Sequence, residues 1–432
     1  MGEEATGRDW QTGPNKYFDA NLYLSNEKYS FVMCGYLTLF EDVDGELLGE
    51  VVESLRERFP YLYVRAKAID GELLVVPNPL AVPVRNTWEP TTLGSRENNY
   101  HLVAIKHEGK KLGIEVSHCI TDGAGYMPYL KVLLHLYLSK RYGQQFNPAG
   151  LRLPGTDFVP GELGCPWPDE LVDQAQKPRA LSEPTDFYQI GDGPVTLDGR
   201  KTTYYLTVPA SDLMDFCRQN DGSPNAAVAV LLAKAMCKVD PSINKDLVLG
   251  VAINKKALLG NYENYHYGAD MAMVDFPAHH RIGSLSKACT VVRGQIIWQT
   301  QQESVLYSVR MGKEGFAQIA AIPTVQAKLD SLKDALGAPL VSSIVSYTGN
   351  RTMGDLDHHI DEFYCVTEPM GTELLIEINC LNHCFYLSVL QSFSSSAYVD
   401  ELMREFAEEG IGCELVGKED LRLSRTRYDD IA

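Results

Sequence analysis

Apolar positions alternate with a period of two over His101–His107, break at Glu108-Gly109, and alternate again over Leu112, Ile114 and Val116, which predicts a hairpin. Upstream, Phe31 to Leu39 reads as a strand. Asp44 then stands as the N-cap of a helix whose Leu48, Val51, Val52, Leu55 and Phe59 share one face until Pro60 stops it. After the hairpin, a helix from Tyr126 to about Tyr142 is apolar on most sides and is expected to be buried. The pattern then lapses. Eight of the 22 prolines and seven glycines fall between 147 and 200, which predicts a connector laid over a surface. It resumes with a strand at Thr202–Val208, a helix capped by Ser211 and ending near Arg218, and a helix through Met236 opened by Ser223-Pro224. Leu247–Ile253 and Leu340–Val345 are apolar runs of strand type, and Leu285–Gln302 reads as one long helix. A late hairpin over Leu374, Ile376, Ile378 and Phe385, Leu387, Val389 precedes a helix from Ala397 to near Gly410.

Strands and helices interleave in both halves, so the fold class is α/β (α+β), with mixed layers. The 432 residues are about three times an ordinary domain. The division read from the sequence is a first half over 1–175, a connector over 176–200 and a second half over 201–432. Hydrophobic residues at 45% and charged residues at 22% give enough apolar mass for large cores, which excludes a disordered chain or a disulfide mini-scaffold. No apolar run approaches the roughly 18 residues of a membrane span. The balance of 39 Lys+Arg against 57 Asp+Glu gives a net charge of −18, which argues against nucleic acid and anionic membranes as partners. Ten cysteines scattered from Cys34 to Cys413 read as reduced thiols of a cytoplasmic protein. The N-terminus lacks the apolar core of a signal peptide. Its match to the Gly2-x-x-x-Thr6 acylation pattern reads as accidental, and a solvated leader is expected up to about Pro14.

One segment carries chemistry: Val116-Ser117-His118-Cys119-Ile120-Thr121-Asp122-Gly123-Ala124-Gly125. His118 is read at the C-terminal end of a strand, on the face opposite Leu112, Ile114 and Val116, projecting towards a cleft between halves. An imidazole there is a natural general base near neutral pH. Three other readings of the segment exist. Ser117 or Cys119 as nucleophile is disfavoured because strand neighbours face opposite ways. Asp122, four residues on, would make a metal pair only on a helix and has no third ligand. A satisfied histidine beside a turn aspartate is the plain structural alternative. No metal site is expected at Cys380-His383-Cys384, whose spacing fits no zinc pattern, or at Asp355–Asp361, read as a loop of solvated charges.

His118-x-x-x-Asp122-Gly123 resembles the HxxxDG signature of the CoA-dependent acyltransferase superfamily, which includes BAHD acyltransferases, alcohol acetyltransferases and condensation domains. The resemblance extends to Arg58-Phe59-Pro60, Ser223-Pro224-Asn225, Val251-Ala252-Ile253-Asn254 and Ser346-Tyr347-Thr348-Gly349-Asn350. It implies two chloramphenicol acetyltransferase-like halves with a tunnel between them. It further implies acyl transfer from a thioester, most simply acyl-CoA as co-substrate with no permanently bound cofactor, to a small-molecule alcohol or amine. A carrier-protein donor, hence an acyl carrier protein partner, and a non-catalytic binding protein are the alternatives. By the resemblance His118 is the general base and Asp122 a structural aspartate in need of a basic partner. Gly123 and Gly125 let backbone approach substrate. Ser346 or Thr348 is the oxyanion donor, with Tyr347 and Asn350 beside them. Lys255, Lys256 and Arg351 are the candidates for the CoA phosphates. Tyr262, Tyr265, His266 and Tyr267 line the acceptor pocket or pack over the seam. The chain departs from the family in having Ser117 where condensation domains carry a second histidine. It also lacks the Asp-Phe-Gly-Trp-Gly motif, and it has lysine where an arginine is expected at 255–256.

Overall fold

A computed structural model describes residues 16–25, 29–178, 186–278, 282–332 and 338–429, with Lys16, Tyr17 and Asn350 described in their backbone only. The leader with Gly2 and Thr6 lies outside the described residues. The predicted hairpin forms as Val103–Glu108 and Lys111–Ser117, with Val103 opposite Val116 and His107 opposite Leu112. It is the middle of a five-stranded sheet ordered Ile360–Thr367, Val32–Leu39, Lys111–Ser117, Val103–Glu108, Val84–Asn86. The Asp44 side chain accepts the Leu47 amide and starts the helix Gly45–Ser54, whose Leu48, Val51 and Val52 are buried in the same core as Leu112, Ile114 and Val116.

The second sheet is ordered Ala269–Phe276, Leu247–Asn254, Ser343–Asn350, Leu374–Leu381, Cys384–Gln391, Thr202–Pro209, Glu414–Asp420. Ser343–Asn350 runs parallel to both its neighbours, and the other pairings are antiparallel. The Pro224–Val239 helix, buried almost all round, and the Ala397–Glu408 helix share its core. The sheets meet along an apolar seam where Val32, Cys34 and Val366 pack with Val248, Ile344 and Leu390. The α+β architecture of two mixed sheets is therefore the one expected.

Several local expectations are corrected. The helix placed at Tyr126 begins at Gly123, because the Asp122 carboxylate takes the amides of Ala124 and Gly125 and caps it. Ser211 is not a cap. That helix, Ala210–Gln219, follows Pro209 with no side-chain cap. The expected helix 285–302 is two, Leu285–Gln299 and Gln302–Ala320. The connector is not merely laid over a surface. Within it Glu162 is fully buried and holds Arg58 through both carboxylate oxygens (2.7 and 2.8 Å), together with Tyr61 (3.1 Å) and Arg152 (3.1 Å). The segment 201–432 also returns to the first half: Ile360–Thr367 joins the first sheet antiparallel to Val32–Leu39, and Arg425–Thr426 pairs with Thr92–Leu93 in a separate two-stranded sheet.

Candidate functional site

The strand Lys111–Ser117 ends one residue before His118. Residue 118 has the parity of 112, 114 and 116, so continued alternation would have carried it into the first core rather than away from it. A turn over His118–Thr121 breaks the alternation instead. The His118 amide donates to the Phe31 carbonyl (2.8 Å), and Phe31 sits at φ 40°, a left-handed conformation that brings its ring to 5.1 Å from the imidazole. Tyr267 meets the same ring edge-on at 4.9 Å. Nδ1 of His118 lies 2.8 Å from the Thr121 carbonyl oxygen. A carbonyl only accepts, so Nδ1 carries the proton, and the Nε2 lone pair of the neutral ring is left free. Burial pushes the His118 pKa below its usual value, and the Lys256 charge acts in the same direction. The Thr121 bond and Asp122 oppose them. Cys119 is buried and is not part of the wall of the cavity that His118 lines, and burial pushes its thiol up to about 12, which disfavours it as a nucleophile.

Thr121 is itself fixed, its hydroxyl donating to the Tyr265 carbonyl (2.6 Å) of the second half. Gly125 is glycine for that contact. A Cβ there would stand 2.3 Å from the Thr121 hydroxyl and 2.4 Å from the Tyr265 carbonyl. Its expected role, access of backbone to substrate, gives way to close packing between halves. Asp122 is almost wholly buried and fully occupied. Oδ1 accepts from Ala124 (3.0 Å), Gly125 (3.1 Å) and Lys256 Nζ (2.8 Å), and Oδ2 accepts from the Gly268 amide (2.9 Å). Lys256 is thus the basic partner the aspartate requires. Its three ammonium protons go to Asp122, the Asn264 carbonyl (2.8 Å) and the His266 carbonyl (2.5 Å). Its expected role on a CoA phosphate is overturned, because it is completely buried with no proton to spare. Lys255 is paired with Asp270 at 3.1 Å and is no free clamp either.

His118 opens onto a cavity of about 220 Å³ between the sheets. Gly123, Ser346, Tyr347, Thr348, Arg351 and Glu377 share its wall. A hollow of about 310 Å³ lies elsewhere, by Gln189 and Lys201, but it has no histidine, so chemistry rather than size selects the site. Ser346 stands in register with Glu377 on the neighbouring strand. The Thr348 hydroxyl is spent on the Ile378 carbonyl (3.1 Å), and the Tyr347 ring leans on Phe385 (centroids 5.9 Å apart). The side chain of Asn350 lies outside the described residues. Glu377 was not read from the sequence. It accepts from the Thr367 hydroxyl (2.7 Å) through Oε1, while Oε2 has no partner among the described residues. Burial pushes its carboxyl up, against the lowering influence of Ser346, Thr367 and Arg351. An apolar strand of alternating pattern around one acid at 377 was the available signal.

The aromatic cluster divides. Tyr262 is exposed at the cavity wall, whereas Tyr265 stacks on Tyr61 (4.1 Å) and His266 (4.0 Å) in the seam. His383 sits in a left-handed turn at φ 60°, its carbonyl taken by the Ala210 amide, and His359 stacks on Tyr142 at 4.6 Å. Among the described residues no group of three His, Cys, Asp or Glu is placed to hold a metal ion, and no helix is long and apolar enough to cross a membrane.

No family model and no curated protein matches the chain. Solved structures do. Polyketide synthase associated protein 5 from Mycobacterium tuberculosis matches with TM-score 0.57 at 12% identity, over 89% of this chain and 94% of that one. TRI101 of F. sporotrichioides, complexed with coenzyme A and T-2, matches with TM-score 0.56 at 10% identity, over 92% and 98%. A mutant starter condensation domain of rhizomide synthetase RzmA, in complex with C8-CoA, matches with TM-score 0.56 at 10% identity, over 90% and 92%. Acyltransferases and condensation domains thus share this fold.

Proposed function

We propose that the protein transfers an acyl group from a thioester, with acyl-CoA as the donor, to a hydroxyl or amine acceptor, and that His118 is the general base. The observation that carries this reading is the Nδ1–H bond to the Thr121 carbonyl, which leaves Nε2 of the neutral ring unprotonated on a residue that lines a cavity between the sheets. Nε2 takes the proton of the acceptor as its oxygen or nitrogen attacks the thioester carbonyl. The resulting tetrahedral oxyanion needs a donor, and Ser346 is the candidate on the facing wall, its hydroxyl turning from the Glu377 carboxyl beside it to the oxyanion. On collapse the carbon–sulfur bond breaks, and the imidazolium returns its proton to the leaving thiolate. A depressed histidine pKa suits both halves of this cycle. The ring is neutral and ready to accept at pH 7, and its conjugate acid gives the proton up readily. Asp122 is a positioning residue: through its cap and its ion pair it fixes the turn that aims His118.

Likeness of fold to structures holding coenzyme A and C8-CoA supports the choice of donor class. The test is thiol release from a panel of acyl-CoAs against mixed alcohols and amines, with wild type and His118→Ala compared. Release by wild type alone supports the reading. Equal release from both removes His118 from the mechanism. Release from an acyl carrier protein but from no acyl-CoA would move the donor to the carrier.

A further inference from the structure

Six lysines and arginines are buried among the described residues: Arg58, Lys106, Arg152, Lys256, Lys328 and Arg351. Five have a carboxylate within 3.1 Å. Arg58 and Arg152 share Glu162, Lys106 has Glu115, Lys256 has Asp122, and Lys328 has Glu72. Arg351 is the exception. It is 8% exposed, no ion pair among the described residues holds its guanidinium, and its Nε has no hydrogen-bond partner. Its backbone is anchored, the amide donating to the Cys380 carbonyl at 2.8 Å. A terminal nitrogen lies 3.4 Å from where a Cβ of Gly123 would stand, so Gly123 leaves the guanidinium room on the cavity wall.

Among the described residues no nearby acid forms an ion pair with it. Asp122 is taken by Lys256 and three amides. Glu377 lies on the same wall, its Oε2 without a hydrogen-bond partner among the described residues, and burial pushes its carboxyl up while the arginine pulls it down. Lys131, on the helix that Gly123 opens, feels Arg351 as a like charge, after burial the next influence that lowers its pKa, while Asp357 raises it. A buried, unpaired guanidinium is unfavourable unless something supplies the counter-charge. A planar guanidinium matches a carboxylate through two parallel N–H bonds.

We infer that Arg351 is the recognition group for a carboxylate on a molecule bound in the His118 cavity. This rests on the acyl-transfer reading above and narrows it, making the substrate an acid as well as an alcohol, an amine or an acyl group. It also moves Arg351 away from the CoA phosphates. The pantetheine arm sets those phosphates many bonds from the thioester, beyond a chamber that Arg351 shares with His118.

The carboxylate can belong to the acceptor or to the acyl group. The experiment therefore has two arms. One compares ω-hydroxycarboxylates of graded length with the alcohols of the same chain length, using acetyl-CoA. The other compares succinyl-CoA with butyryl-CoA, using simple alcohols. Wild type, Arg351→Gln and Arg351→Lys are assayed for kcat/KM. Calorimetric binding of the same hydroxycarboxylates and of succinyl-CoA is measured in parallel. In one arm wild type is expected to favour the carboxylated partner by on the order of tenfold or more, with Arg351→Gln abolishing the preference and Arg351→Lys keeping part of it. The melting temperature of Arg351→Gln should not fall, because the guanidinium it removes has no ion-pair partner among the described residues. No preference in either arm, or a preference that survives Arg351→Gln, overturns the inference. So does a steep loss of melting temperature, which would mark a structural arginine. Loss of carboxylate binding in Arg351→Gln with no thiol release from any acyl-CoA would instead overturn the acyl-transfer reading and leave this site standing.

Discussion

On the cavity wall built by residues 118–125, the Thr121 hydroxyl, both oxygens of Asp122 and all three protons of Lys256 are bonded to protein. On the facing wall, Arg351 Nε and Glu377 Oε2 are buried without a hydrogen-bond partner among the described residues. The two walls therefore do different work. The first spends its polar groups on holding one imidazole in one tautomer. The second leaves polar groups unsatisfied, the condition for recognising something brought from outside.

The sharpest way to break that contrast is at the imidazole. His118→Ala is expected to lower the rate of thiol release roughly 10²–10⁴-fold while leaving urea stability close to wild type. A mutant that unfolds easily would mean that His118 is part of the packing. Next comes the ion pair beneath it. Lys256→Met strands the Asp122 carboxylate and should remove about 3–5 kcal/mol in urea titration. A loss confined to substrate KM would return Lys256 to ligand binding. A smaller effect separates two glycines of one motif. Gly125→Ala drives a Cβ into Thr121 and Tyr265, and should destabilise by about 1–3 kcal/mol. Gly123→Ala meets only a terminal nitrogen of Arg351 at 3.4 Å and should be tolerated in a melt, altering substrate KM alone.

The smallest expected effect lies on the open wall. The Glu377 carboxyl is raised in the folded state, so the native protein binds the extra proton, and stability should decline as pH rises above the ordinary glutamate value of 4.5. Glu377→Gln should flatten that part of the pH–stability profile and change stability at low pH by less than about 1 kcal/mol. An unchanged profile would mean that Glu377 is ionised in the native state.

Much of the scaffold was readable because short-range rules decided it. The hairpin through Glu108-Gly109 and the Asp44 cap need no tertiary knowledge. His118 was identified, but its exit from the core was attributed to alternation when a turn produces it. The start of the next helix was missed because Asp-Gly-Ala-Gly reads as a loop until its aspartate is seen taking two amides. The functions of Lys255, Lys256 and Arg351 were not separable in the sequence. One is paired at the surface edge, one is entombed against Asp122, and one stands open in the cavity. All three are cations near strand ends, and only the packing of distant segments tells them apart. The strand Ile360–Thr367 went unread because it follows a charged turn, and its partner lies more than 300 positions earlier in the chain.

That late strand has a consequence for biosynthesis. Val32–Leu39 leaves the ribosome early, yet one of its two edges stays unpaired until residues 360–367 arrive. The nascent chain therefore carries an unsatisfied β-edge while the more than 300 intervening residues are made, open to pairing with other chains. A fragment ending near residue 200 should accumulate as aggregate, and coexpression with the remainder should recover soluble material by supplying the missing ribbon.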